Sequence, residues 1–156
     1  MSLRLQLSSA LTPVFRAWWR LRRPMTLGVR GLICDETGAV LLVRHGYTKG
    51  WHLPGGGVEP GETALTAILR EAAEEGGVEA IAPPRLIGFY SNNANFPNDH
   101  IALYRFGDWR PCPPEEGHEI AERGFFQRTA LPDGTTPGTR RRLAEAFDGV
   151  VVSAEW

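Results

Sequence analysis

Apolar positions in this chain come in short runs separated by polar, glycine-containing breaks, and the spacing within the runs changes along the sequence. "MTLGVRGLICD" (25–35) and "AVLLVRH" (39–45) are apolar, β-branched runs joined by "ETG", which reads as a β-hairpin. "WHLP" (51–54) is a short strand stub that enters the glycine loop 55–57. The period then turns helical. At roughly 100° per residue, Leu65, Ile68, Leu69 and Ala72 share one sector and predict a core stripe, while Glu71, Glu74 and Glu75 share the far side with Ala64 and Ala67. Pro60-Gly61 opens this helix and Gly76-Gly77 closes it. "PRLIGFYS" (84–91) and "HIALYRF" (100–106) are further strands, separated by the polar loop "NNANFPND". A Pro-rich acidic loop, "GDWRPCPPEEGHE" (107–119), leads to a last strand in "AERGFFQ" (121–127). "GTTPGTRRRLAEAFDG" (134–149) predicts a C-terminal helix with Thr or Pro near its start and Gly149 after it. Strands, helix, strands and helix in that order predict one α/β or α+β domain.

Composition narrows the class. A chain of 156 residues, 42% hydrophobic and 22% charged, suits one globular domain with a core. A formal net charge of -1 argues against a nucleic-acid binder held by phosphate contacts. Cys34 and Cys112 form no CxxC pair, so neither a disulfide framework nor a zinc site is indicated, and buried thiols in a reducing cytoplasm are expected. No apolar run reaches the length of a bilayer span. Residues 1–24 form a separate basic extension whose "SSALTPVFRAWWRLRRP" could fold as an amphipathic helix with Phe15, Trp18 and Trp19 on or near one face. A transit peptide or membrane-surface helix has the same look, but docking on the domain, or on a second subunit of a homodimer, is the expected role. The domain proper is expected over 25–150.

The acidic helix face carries the candidate chemistry. Glu71, Glu74 and Glu75 at i, i+3 and i+4 repel one another by a few tenths of a kcal/mol per pair, and a plain solvated face is the simplest account of them. Three features argue for more. Arg70 is the only base on the helix and can pair with Glu62 two turns back, the preceding glycines let backbone groups approach a ligand, and a helix N-terminus with its loop suits an anion. Clustered carboxylates, a bare carbonyl and room for water are what Mg²⁺ requires when it bridges protein to substrate phosphates.

Read from Gly56, "GGVEPGETALTAILREAAEEGGV" resembles the Nudix box, G-x5-E-x7-R-E-U-x-E-E-x-G-U with U a bulky aliphatic. Gly56, Glu62, Arg70, Glu71, Glu74, Glu75, Gly77 and Val78 match, and Ala72 is the one departure, smaller than the usual aliphatic. The likeness spans roughly residues 25–148. It implies an α/β/α sandwich with a mixed central sheet, the box helix on one face and the C-terminal helix on the other. It implies hydrolysis of a diphosphate linkage in a nucleoside diphosphate joined to another group, by water attack on phosphorus. By matching position, Glu71, Glu74, Glu75 and the backbone carbonyl of Gly55 would bind Mg²⁺ or Mn²⁺, with Gly56, Glu62, Arg70 and Gly77 structural. The catalytic base is expected on the loop before the last strand, with Glu119 first, then Glu116, His118 and Glu122, or else at Glu74 or Glu75.

Substrate contacts are expected from Arg44, with Lys49, to a phosphate, and from Tyr90 and Phe96, with Tyr47 and Phe89, to a base or sugar. Loop 91–100 is a candidate specificity loop. His52 reads as a satisfied edge histidine, and Arg140, Arg141 and Arg142 as a solvated face. The expected partner is a small-molecule nucleotide; a nucleoside triphosphate, a nucleotide-sugar and a capped or 5′-triphosphate RNA stay open, the near-neutral charge counting against RNA. The alternative is a non-catalytic module of the same fold, which typically loses box carboxylates; all three are intact here. An isomerase of isoprenyl diphosphates or a DNA glycosylase would need features that this chain does not show.

Overall fold

The computed structural model describes residues 25–114 and 120–156. Its elements are β1 (Thr26–Leu32), β2 (Val40–His45), α1 (Ala64–Glu74), β3 (Val78–Ala80), β4 (Arg85–Ser91), β5 (Asp99–Arg105), β6 (Trp109–Pro111), β7 (Ile120–Phe126), a 3-10 turn (Arg128–Ala130) and α2 (Pro137–Phe147). β1 pairs in parallel with β5, and β4 pairs antiparallel with the other edge of β5, so this sheet is mixed. β2 pairs antiparallel with β7, and β3 with β6.

Strand alternation splits the core into two layers, because neighbouring side chains point to opposite faces. Leu41, Ala102 and Tyr104 pack with Val29, Ile33, Ile68 and Ala72 under α1. Their sequence neighbours Val40, Leu42 and Leu103 pack with Leu32, Leu53 and Leu143 under α2. The sandwich expected from the sequence therefore holds, with one helix on each face.

Four local expectations change. The β1–β2 hairpin closes only at its turn, where the Asp35 carboxylate accepts the N–H groups of Thr37 and Ala39, both at 2.9 Å, and Leu41 N donates to Ile33 O at 2.9 Å. Beyond that the strands part to different partners, because each strand edge pairs with whichever neighbour continues the core. β3 and β6 were hidden inside what reads as a turn and a loop; three residues are too few to show a period. In α1 the buried residues are Ala67, Ile68, Glu71 and Ala72, and Leu69 is 36% exposed. The inward sector is rotated toward Ala67 and Glu71 because the glycine loop lies against that side, Gly56 meeting the Glu71 carboxylate.

Arg142 is the fourth change: it is 0% exposed, not solvated. The chain after α2 folds back beside β4, with Ser91 N donating to Ala154 O at 2.8 Å and Trp156 N donating to Ser91 O at 2.9 Å. This seats the Trp156 indole against Gly138 and encloses Arg142 between the Trp156 and Tyr90 rings. Glu145 answers its charge at 2.6 Å. Cys34 and Cys112 are free and half-buried. Among the described residues no helix is long and apolar enough to cross a membrane.

Candidate active site

The site begins with a loop that only glycine can form. Segment 54–58 runs along β1, with Gly31 N donating to Pro54 O (2.8 Å), Val29 N to Gly56 O (2.9 Å) and Val58 N to Leu27 O (2.8 Å). Gly55 has φ +141°, and a Cβ there would overlap the Val29 carbonyl, so a side chain is excluded twice over. At Gly56 a Cβ would overlap Glu71 Oε1, so that glycine is what admits the carboxylate. α1 starts one turn later than its proline suggests, capped by the Thr63 hydroxyl, which accepts from Thr66 N at 3.0 Å. It ends at Gly77, whose φ of +65° is the left-handed stop, with Gly77 N donating to Ala73 O at 3.1 Å.

Two cations manage the acids. Arg70 Nε reaches Glu62 Oε1 at 3.1 Å, and Arg70 Nη1 reaches Glu71 Oε1 at 2.8 Å and Glu74 Oε2 at 3.1 Å. Arg70 Nη2 also donates to Gly57 O at 3.3 Å, tying loop to helix. The Glu62 pairing expected from the sequence is therefore present, and Arg70 braces two box carboxylates besides. Hydrogen bonding to Arg70 holds the Glu62 carboxyl below its ordinary range. Burial pushes the Glu71 carboxyl up, and Arg70 opposes that. Glu75, 8% exposed, accepts from Gly55 N at 2.8 Å and lies 3.5 Å from His45 Nε2.

The second cation is Arg30, on β1. Its Nη1 donates to Leu53 O at 3.1 Å and to Gly55 O. Burial draws its guanidinium below the ordinary arginine value, with Glu75 and Glu71 pulling the other way. Sequence reading missed this residue, although a charge inside the apolar run "TLGVRGL" is a signal: every other residue of β1 is apolar, glycine or threonine.

Glu71, Glu75, the loop 55–57, Arg30, His45 and His52 border a cavity of about 340 Å³. Among the described residues no three His, Cys, Asp or Glu side chains already converge on one point; Glu71 and Glu74 lean to Arg70, and Glu75 to the Gly55 N–H. The donor types nevertheless suit a hard divalent cation. They are carboxylate and carbonyl oxygens, two of the carboxylates are nearly buried, and Gly56 leaves the approach open. A second cavity of about 700 Å³ lies beyond, lined by Asn92, Asn95, Thr139, Arg141 and Trp156, and Arg30 and His52 line both.

The remaining expected residues scatter. Arg44 pairs with Glu122 at 2.8 Å across β2 and β7, both exposed, and lines neither cavity. Phe96 is 58% exposed on the loop after β4. Tyr90 is 2% exposed in the core under α2, its hydroxyl donating to Glu145 at 3.2 Å, so its ring has no free face for a base or sugar. Burial raises its phenol pKa. His52 faces both cavities instead of sitting as an edge residue, with Lys49 O 3.2 Å from Nε2, and burial lowers its pKa. Glu116, His118 and Glu119 lie outside the described residues.

Known proteins similar to this chain point to the same family as the glycine loop and the arginine-braced carboxylate helix. The NUDIX domain family pattern matches residues 24–147. The chain belongs to the Nudix hydrolase family. A putative 8-oxo-dGTP diphosphatase of Bacillus subtilis (strain 168) is 40% identical over 124 residues, covering 80% of this chain and 81% of the relative. A MutT-like protein of Streptomyces ambofaciens is 31% identical over 123 residues, 78% of this chain and 71% of the relative. The crystal structure of a MutT Nudix hydrolase from Burkholderia pseudomallei superposes with a TM-score of 0.65 at 25% identity, covering 76% of this chain and 95% of that one. This Nudix protein is accordingly an enzyme that hydrolyses pyrophosphate bonds.

Proposed function

We propose that this Nudix enzyme is a Mg²⁺-dependent (or Mn²⁺-dependent) pyrophosphohydrolase of nucleoside triphosphates, which water splits at phosphorus into two phosphate-bearing products. The observation that carries the reading is the pair of nearly buried carboxylates, Glu71 and Glu75, held against the glycine loop beside a cavity that continues past Arg30 into a nucleotide-sized space. The bound metal would neutralise the diphosphate oxygens and orient water for in-line attack.

The chain's own residues do the rest. Glu71, Glu74, Glu75 and the Gly55 carbonyl are the proposed ligands. Arg70 keeps the helix carboxylates from splaying, and the Gly55 N–H and His45 orient Glu75. Asn92, Asn95 and Trp156 offer hydrogen-bonding edges and an aromatic face to the nucleoside. Glu119, in the segment that precedes β7 and outside the described residues, is the proposed acceptor of the water's proton; a Glu119→Gln variant retaining near-wild-type kcat would move that role to Glu74 or Glu75. The names of the relatives support a purine triphosphate, oxidised guanine included, as the first substrate to try. A cavity of about 700 Å³ is of the size that holds one nucleotide.

The decisive assay is a panel of nucleoside triphosphates, 8-oxo-dGTP among them, and nucleotide-sugars, each with Mg²⁺ or Mn²⁺. Glu75→Gln should lower kcat by at least about 100-fold, the scale of losing one preorganised electrostatic group. Unchanged turnover in that variant, or none in the wild type, would remove the reading.

A further inference from the structure

The family box does not include Arg30, yet among the described residues no other charged side chain lines both cavities. It stands on β1 on the opposite side from Val29, which faces α1, so it points toward the layer where the larger cavity opens. Only one of its three nitrogens is engaged among the described residues: Nη1 donates to the carbonyls of Leu53 and Gly55, while Nε and Nη2 donate to none. A guanidinium always carries charge and presents its donors as a planar fork that matches two phosphate oxygens. Any nucleotide whose base lies among Asn92, Asn95 and Trp156, and whose reacting phosphorus lies by Glu71 and Glu75, must thread its phosphates past this fork.

We propose that Arg30 is the phosphate-binding residue that fixes the nucleoside-proximal phosphate at the junction of the two cavities, with Nη1 anchored on the loop carbonyls and Nε and Nη2 turned to the phosphate. The assignment rests on the nucleotide reading above. It also explains the cation's position: among buried acids, Arg30 offsets the negative charge that would otherwise repel an arriving polyphosphate.

The experiment is calorimetric and metal-free. GMP and guanosine are titrated into wild type, Arg30→Met and Arg30→Lys in EDTA, and the Tm of each protein is recorded. Arg30→Met should bind GMP about 10- to 100-fold more weakly and guanosine as the wild type does, with KM for the triphosphate raised in parallel. Arg30→Lys should recover part of the GMP affinity, since it keeps the charge without the fork.

A brace for the loop carbonyls would give a different pattern: equal losses for GMP and guanosine, tracking the fall in Tm. That pattern, or GMP affinity unchanged in both variants, overturns the assignment. A wild type that binds neither GMP nor guanosine and hydrolyses no nucleotide overturns the nucleotide reading, and the Arg30 proposal with it. Arg30→Lys is the variant of record should Arg30→Met not fold.

Discussion

Replacing Arg142 by Met should unsettle this enzyme out of proportion to a single position on a helix dense with arginines. Arg142 is 0% exposed and its partner Glu145 has 5% of its side chain exposed, joined at 2.6 Å. Breaking a buried pair from one side costs about 3–5 kcal/mol, because the remaining charge is left without its counterion. Two features set this case near the middle of that range. Glu145 keeps donors in Tyr90 OH (3.2 Å) and Ser153 N (2.9 Å), which softens the loss. Against this, the guanidinium 3.9 Å from the Tyr90 ring centroid and its bond to Glu155 O at 2.9 Å disappear with the charge. The expected loss is about 4 kcal/mol, or about 8–16 °C in Tm for a chain of this size.

The diagnostic measurement is a double-mutant cycle by urea denaturation. Glu145→Gln alone should cost about 2–3 kcal/mol, since it strands the arginine. Arg142→Met with Glu145→Gln should cost about 3 kcal/mol, well under the sum, because no charge is left unpaired, the glutamine oxygen still accepts from Ser153 N and the amide NH2 can donate to the Tyr90 hydroxyl. Activity should fall through KM, since the same arginine seats the Trp156 segment that lines the larger cavity. Single-variant costs that add to within about 0.5 kcal/mol would refute the coupling, and with it the reason given for burying the charge.

Two further outcomes follow from the loop and the helix. Gly56→Ala should lower kcat by at least about 10-fold while costing only about 1–2 kcal/mol in stability, because its methyl displaces the Glu71 carboxylate and not a core contact; a Tm collapse with specific activity retained in the folded fraction would contradict this. Glu71→Gln should change the pH dependence of stability in EDTA. Burial raises the folded Glu71 pKa above its ordinary 4.5, so in the wild type this group's stabilisation is complete below that value and is lost as pH rises through the folded pKa. The variant has no such loss, so its stability relative to wild type should improve from pH 4 to pH 7; a constant difference across that window would show that Arg70 cancels the burial.

What the sequence determined by itself is what repeats or what a rule of spacing enforces. The five longer strand runs, both helices with their breaks and the Gly56–Val78 box were readable, because alternation and helical period are local properties and the box residues sit at fixed separations on one helix and its entry loop, while the two-faced architecture followed from the family resemblance that the box carries. Tertiary structure decided everything that depends on which distant segment covers a residue. Period alone put Leu69 in the core and Glu71 on a free face; the glycine loop lying against α1 reversed that. Tyr90 and Arg142 look like a substrate contact and a solvated charge until the returning chain at 150–156 closes over them. Arg30 is one polar letter in an apolar strand, and its meaning appears only when folding places it where two cavities meet. A side chain's period is fixed by its own backbone, whereas its burial and its electrostatic partners are set by segments tens of residues away.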